Sequence, residues 1–126
     1  MILLDTDVLI EILDKKSAKG EKTLQRIKGQ KEIVGTTVIN LHEILYGLHK
    51  YAKPISEVLL LPVLSYTKQD AVLSSKLELD AEKQGETIRR TDAMIAAISI
   101  NNETSLCTFD TKHFRPISKL GLRLFT

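Results

Sequence analysis

The sequence predicts an α/β protein: a central, mostly parallel sheet with helices on both faces, all within one domain spanning residues 1–126. Two observations carry that prediction. Short apolar or β-branched runs of strand length alternate with longer segments of helical spacing from one end of the chain to the other. The length of 126 residues suits a single core, and no repeat, low-complexity tract or Gly/Ser linker divides it.

The elements follow in order. Ile2-Leu3-Leu4 is a buried-type strand, and Thr6 is placed to cap a helix whose apolar stripe is Val8, Leu9, Ile12 and Leu13. A charged helix over Lys19 to Lys28 buries little beyond Leu24 and Ile27 and stops at Gly29. Glu32 to Ile39 is rich in β-branched residues and reads as a second strand. Asn40 then opens a helix through Leu41, Ile44, Leu45 and Leu48, broken at Pro54. A short apolar helix precedes a strand near Pro62-Val63-Leu64, and Lys68 to Gln84 has helical spacing up to Gly85. The segment Asp92 to Ile98 is apolar nearly all round, as a helix buried on most sides must be. Ser105 to Phe109 and Leu122 to Phe125 read as the last strands.

Composition excludes several classes. Aromatics are only 5% of the chain and Trp is absent, so a base-stacking platform of several rings is not expected. Cys107 is the single cysteine, which rules out an intramolecular disulfide and suits a reduced core thiol. Met1 to Leu4 is too short for a signal peptide before it meets Asp5, and Pro62 interrupts the longest apolar run, so no membrane association is expected and the location is read as cytoplasmic.

The chemistry rests on where the acids fall. In open α/β sheets, ligands bind beyond the carboxyl ends of the strands. Asp5 follows the first strand, Glu43 lies in the first turn after the second, Asp92 opens the buried helix, and Asp110 follows the strand Leu106 to Phe109. Singly, each has an ordinary structural reading. Asp5 and Asp92 suit helix N-termini, Asn40-x-x-Glu43 resembles a capping box, and Asp110 can start a turn. Together they would repel by about 1 to 4 kcal/mol per close pair, so a positive partner is required. No Lys or Arg is obviously embedded among them, although Arg89 and Arg90 lie near Asp92 in sequence. Oxygen donors without His or Cys suit Mg²⁺ or Mn²⁺, ions that serve phosphodiester hydrolysis.

Setting those acids apart leaves the remaining side chains with a clear cationic excess, which suits a polyanionic substrate. Lys15, Lys16, Lys19, Lys22 and Arg26 form a basic strip that could contact phosphates. Other metal chemistries lack their ligands. His42-Glu43-Ile44-Leu45-Tyr46 begins like a zinc-protease helix but carries Tyr46 where a second His is needed, and His42, His49, His113 and Cys107 have no zinc spacing. His113 reads as a packed or capping residue, and no phosphate-binding glycine loop is present.

Four segments together resemble the PIN-domain nucleases, especially the VapC-type toxins of toxin–antitoxin pairs. They are Leu3-Leu4-Asp5-Thr6-Asp7-Val8-Leu9-Ile10, Asn40 to Leu48, Thr91 to Ala97, and Thr108-Phe109-Asp110-Thr111-Lys112-His113-Phe114. The resemblance implies a PIN-like three-layer α/β/α sandwich, Mg²⁺- or Mn²⁺-dependent endoribonuclease activity on RNA, and inhibition by a cognate VapB-type antitoxin. It also implies a homodimer. Residue by residue, it implies that Asp5, Glu43, Asp92 and Asp110 are the acidic quartet, with Asp5 and Asp92 holding the metal directly. Glu43 and Asp110 would act directly or through water, and Thr6 and Thr108 would be supporting hydroxyls. Asp7 stands where Asn or Ser is frequent in such proteins, and Phe109 where a polar residue is common.

Rival readings are a PIN nuclease of RNA processing that is not a toxin, a non-catalytic RNA- or protein-binding module, and an aspartyl-nucleophile phosphatase using Asp5 and Asp7. The last leaves Glu43 without a role.

Overall fold

The computed structural model describes residues 1–126. Four strands, β1 (Ile2–Leu4), β2 (Val34–Thr37), β3 (Val63–Leu64) and β4 (Ser105–Cys107), form one sheet in the order β3-β2-β1-β4, and every pairing is parallel. The chain therefore builds outward from β1 through β2 to β3, then returns to pair β4 on the free side of β1. Leu4 is level with Cys107 across that last pairing, and the Asp5 amide continues the ladder to the Cys107 carbonyl at 2.9 Å. The order reverses beside β1, and a crevice opens at such a reversal.

Six helices surround the sheet: α1 (Thr6–Leu9), α2 (Ala18–Lys28), α3 (Val38–Lys50), α4 (Lys68–Lys83), α5 (Arg90–Asn101) and α6 (Thr111–Ser118). A π-helical turn over Ile10–Asp14 extends α1, and a 3₁₀ turn over Val58–Leu60 precedes β3. Successive β1 side chains point to opposite faces, as strand geometry requires. Ile2 and Leu4 enter a core with Val8, Leu9, Ile27, Ile44, Leu48 and Val58. Leu3 enters a second core with Ile95, Ala96, Leu106, Phe114 and Ile117. Two cores on the two faces of one sheet make the three layers, and the predicted fold class is observed.

Several boundaries differ from expectation, each for a local reason. Strand β2 stops at Thr37 because the Thr37 hydroxyl accepts the Asn40 amide at 3.1 Å and starts α3 at Val38. Glu43 consequently lies in the second turn of α3, and no Asn40–Glu43 capping box forms. Asp5, not Thr6, caps α1, its side chain accepting the Thr6 amide at 2.9 Å. Helix α5 begins at Arg90, so Asp92 sits inside its first turn. The expected strand over Leu122 to Phe125 is reduced to one bridge between Leu124 and Leu106. Helix α6 was not anticipated; it follows Asp110 directly and tolerates Pro116 in its last turn, burying Phe114 and Ile117.

Candidate functional site

At the carboxyl end of β1, a cleft of about 250 Å³ is lined by Asp5, Thr6, Asp7, Ile10, Glu43, Arg89, Thr91, Asp92 and Asp110. The four acids singled out in sequence thus face one space, delivered by the ends of β1 and β4, the second turn of α3 and the first turn of α5. No three of them converge tightly enough to make a finished ligand set.

Asp5 is the most firmly built member. It is buried, and its two oxygens receive three neutral donors: the Thr6 amide at 2.9 Å, Asn40 Nδ2 at 2.8 Å and the Thr108 hydroxyl at 2.6 Å. Asn40 is fully buried behind it. A carboxylate can only accept, so the amide nitrogen of Asn40 must face Asp5, which leaves its oxygen to take the Thr37 hydroxyl at 2.7 Å. The same nitrogen reaches the Thr6 hydroxyl at 3.0 Å, and that hydroxyl donates to Glu43 at 2.8 Å. Thr108 does double duty as well, accepting the Asp110 amide at 3.0 Å. One network therefore runs from Thr37 through Asn40, Asp5 and Thr6 to Glu43, with no positive charge in it.

The opposite wall is held differently. Arg89 Nε donates to Asp92 at 2.8 Å, and its Nη2 approaches Asp110 at 3.3 Å. Burial, only partly offset by Arg89, leaves the Asp92 carboxyl above its ordinary range. Burial would raise Asp110 too, but His113, whose Nδ1 lies 2.5 Å from it, and Arg89 outweigh that effect and hold it below the ordinary range. The guanidinium corrects the expectation that no cation is embedded among the acids: residue 89 precedes α5 in extended conformation, which swings its side chain back over the cleft.

Asp7 faces the same cleft with one oxygen accepting the Phe109 amide at 3.1 Å and the other buried without a partner. Desolvation first, and then the charge of Asp5, push its pKa up to about 6 despite the amides of Phe109 and Val8. Cys107 lies beneath the site in the apolar core, where burial pushes its thiol up to about 11, as the reading of a buried, unreactive cysteine requires.

The basic strip lies outside the cleft lining. Lys19 Nζ stands 4.0 Å from the centre of the Phe109 ring, next to Asp110, and Arg26 lies over Phe125. Lys15 and Lys16 face Glu11 and Glu57, and Lys22 is exposed on α2. Two residues that shape the site are not marked as such by the sequence: Asn40, which reads as a helix start, and Arg89, which reads as a neighbour of Asp92. A polar residue three positions past a Thr that ends a β-branched strand was the available clue to Asn40.

Hard oxygen donors from five acids around one cleft are of the chemical type a divalent cation takes, and the guanidinium between Asp92 and Asp110 already brings positive charge to this wall.

Fold and cleft together define an α/β protein with a carboxylate-lined crevice at the sheet's reversal point. The chain belongs to the PIN domain family, whose model matches residues 2–120; PIN domains are generally nucleases. Among solved structures it is similar to VapBC2 from Rickettsia felis, solved bound to a promoter DNA fragment, at TM-score 0.82 and 22% identity over 99% of this chain and 98% of that one. It is also similar to FitAcB from Neisseria gonorrhoeae, at TM-score 0.81 and 22% identity over 100% and 97%. A third is VapBC-1 from nontypeable Haemophilus influenzae, at TM-score 0.80 and 23% identity over 99% and 97%. No curated protein matches by sequence.

Proposed function

We propose that this protein is a Mg²⁺- or Mn²⁺-dependent endoribonuclease and the toxin of a toxin–antitoxin pair, acting in the cytoplasm. The carrying observation is the cleft itself: Asp5, Glu43, Asp92 and Asp110, from four separate segments, face one space at the reversal point of the sheet. In this reading Asp5 and Asp92 hold the metal, and Glu43 and Asp110 complete or orient its surroundings. When bound, a divalent ion lowers the pKa of water and neutralises charge developing on a phosphate.

The chain's own residues do the rest. Asn40 and Thr108 fix the Asp5 carboxylate, so its lone pairs are aimed before any ligand arrives. Thr6 orients Glu43 in the same way. Lys15, Lys16, Lys19, Lys22 and Arg26 offer positive charge to the phosphates of an RNA strand outside the cleft, with Lys19 standing over the ring of Phe109, the residue before Asp110.

The toxin assignment is supported by the similar structures, which are of VapBC and FitAB systems. A cognate VapB-type antitoxin is the partner this reading requires. A groove of about 350 Å³ lined by Ile10, Ile44, Leu48 and Tyr51 together with Asp14, Lys15 and Lys53 shares Glu43 and Ile10 with the acidic cleft, and suits an amphipathic segment of such a partner. The homodimer belongs to the same reading.

The test is cleavage of structured RNAs with added Mn²⁺ or Mg²⁺, by wild type, Asp5→Asn and Asp92→Asn, with a chelator control. Wild type should cleave only with metal, and both variants should lose at least about a hundredfold in rate, the scale of removing an essential electrostatic group. Undiminished cleavage by either variant would overturn the assignment of the site.

A further inference from the structure

Arg89 is a feature that the proposed chemistry does not use. Its guanidinium reaches two of the four acids at once, Asp92 at 2.8 Å and Asp110 at 3.3 Å. The Asp92 side chain is only 7% exposed whereas that of Arg89 is 60% exposed, so the acid is enclosed and the cation is open to solvent. Arg89 precedes the first residue of α5 and makes no capping bond with its side chain. Its side-chain hydrogen bonds are the two to Asp92 and Asp110. A positive group bridging two acids that line the cleft occupies the electrostatic role a divalent ion would take there.

We propose that Arg89 is a built-in counter-cation that competes with the divalent metal for Asp92 and Asp110, lowering metal affinity and keeping the metal-free cleft stable. This inference rests on the proposed metal site. Asp5 needs no such partner, because neutral donors satisfy it. The competition is therefore confined to one wall: metal entry need disturb nothing at Asp5 but must loosen the guanidinium from Asp92. By linkage, a competitor bound within the free protein weakens the apparent affinity of the incoming ligand by the factor with which it stabilises the free state.

Arg90 supplies the control. It carries the same charge one residue away, but its guanidinium makes a two-pronged contact with Glu78, at 3.1 and 3.0 Å, and does not line the cleft. Titration calorimetry with MnCl₂ alone, without RNA, should give Arg89→Gln a dissociation constant about three- to tenfold lower than wild type, the range expected for one partly exposed, charge-assisted pair. Arg90→Gln should stay within about twofold of wild type, since it lies outside the cleft and solvent screens it. Equal affinities in wild type and Arg89→Gln would overturn the competition while leaving the metal site standing. Weaker binding by Arg89→Gln would overturn it as well, by making the arginine an organiser of the ligands. Equal tightening in both arginine variants would reduce the effect to net charge and also overturn it. Absence of Mn²⁺ binding in all three proteins would remove the metal site together with the competition. Circular dichroism should show each variant folded, because exposed Arg89 is a position where substitution leaves the core untouched.

Discussion

The two walls of the cleft solve the same electrostatic problem in opposite ways. On the Asp5 wall a buried carboxylate is stabilised by an amide, a carboxamide and a hydroxyl, all neutral and all anchored in strand ends or buried helix turns. On the Asp92 wall the stabiliser shared by Asp92 and Asp110 is one exposed guanidinium, with His113 bonded to Asp110 beside it. Neutral donors add no charge to the Asp5 wall, and the side chains of Asn40 and Thr108 are buried with it. An exposed cation offsets charge and is open to exchange for another. The difference teaches which half of the site is scaffold and which half is adjustable.

Substitutions can break that contrast. Asn40→Ala carries the largest stability effect, because it strips a donor from Asp5 and leaves the Thr37 hydroxyl without its acceptor inside a fully buried pocket. Each stranded buried group costs about 1–3 kcal/mol, so urea denaturation should show a loss of about 2–4 kcal/mol. In the same experiment Arg89→Gln should stay within about 1 kcal/mol of wild type, as exposed pairs do. A loss at Arg89 equal to that at Asn40 would erase the distinction between the walls.

Thr108→Val sharpens it further. The substitution keeps the shape of the side chain while removing both the 2.6 Å bond to Asp5 and the acceptor of the Asp110 amide. A smaller destabilisation of about 1–2 kcal/mol is expected, with RNA cleavage reduced because Asp5 and Asp110 lose a shared brace. An unchanged rate would show that Asn40 alone sets the Asp5 geometry.

The acids that follow strand ends were legible in sequence on both walls. Period and position were enough to put Asp5 at the end of β1 and Asp110 just past β4, since a strand end and the residue after it are local properties. The four-acid cleft followed from the sheet's topology. What sequence concealed was side-chain reach. Thr37 and Asn40 read as a strand end and a helix start; their bonds to each other are local, but the Asn40 bond to Asp5 depends on β1 and β2 lying side by side across 35 positions of chain. Arg89 was noticed only as a neighbour of Asp92, because its placement between Asp92 and Asp110 depends on extended backbone before α5 and on β4 returning beside β1. Helix α6 was missed because Pro116 and the polar run Thr111-Lys112-His113 hide an amphipathic turn that buries Phe114 and Ile117. The shift of Glu43 by one turn arose from β-branched Val38 and Ile39, which read as strand but are helical once Thr37 caps the turn.

The central claim is that the carboxylates of this cleft form a divalent-metal site with Asp5 and Asp92 as its direct ligands. Anomalous diffraction from crystals soaked in MnCl₂ tests it without recourse to activity. The account predicts an anomalous peak at ligand distance from both Asp5 and Asp92, with the Arg89 guanidinium drawn away from Asp92. A peak elsewhere on the molecule, or none at saturating Mn²⁺, would contradict it.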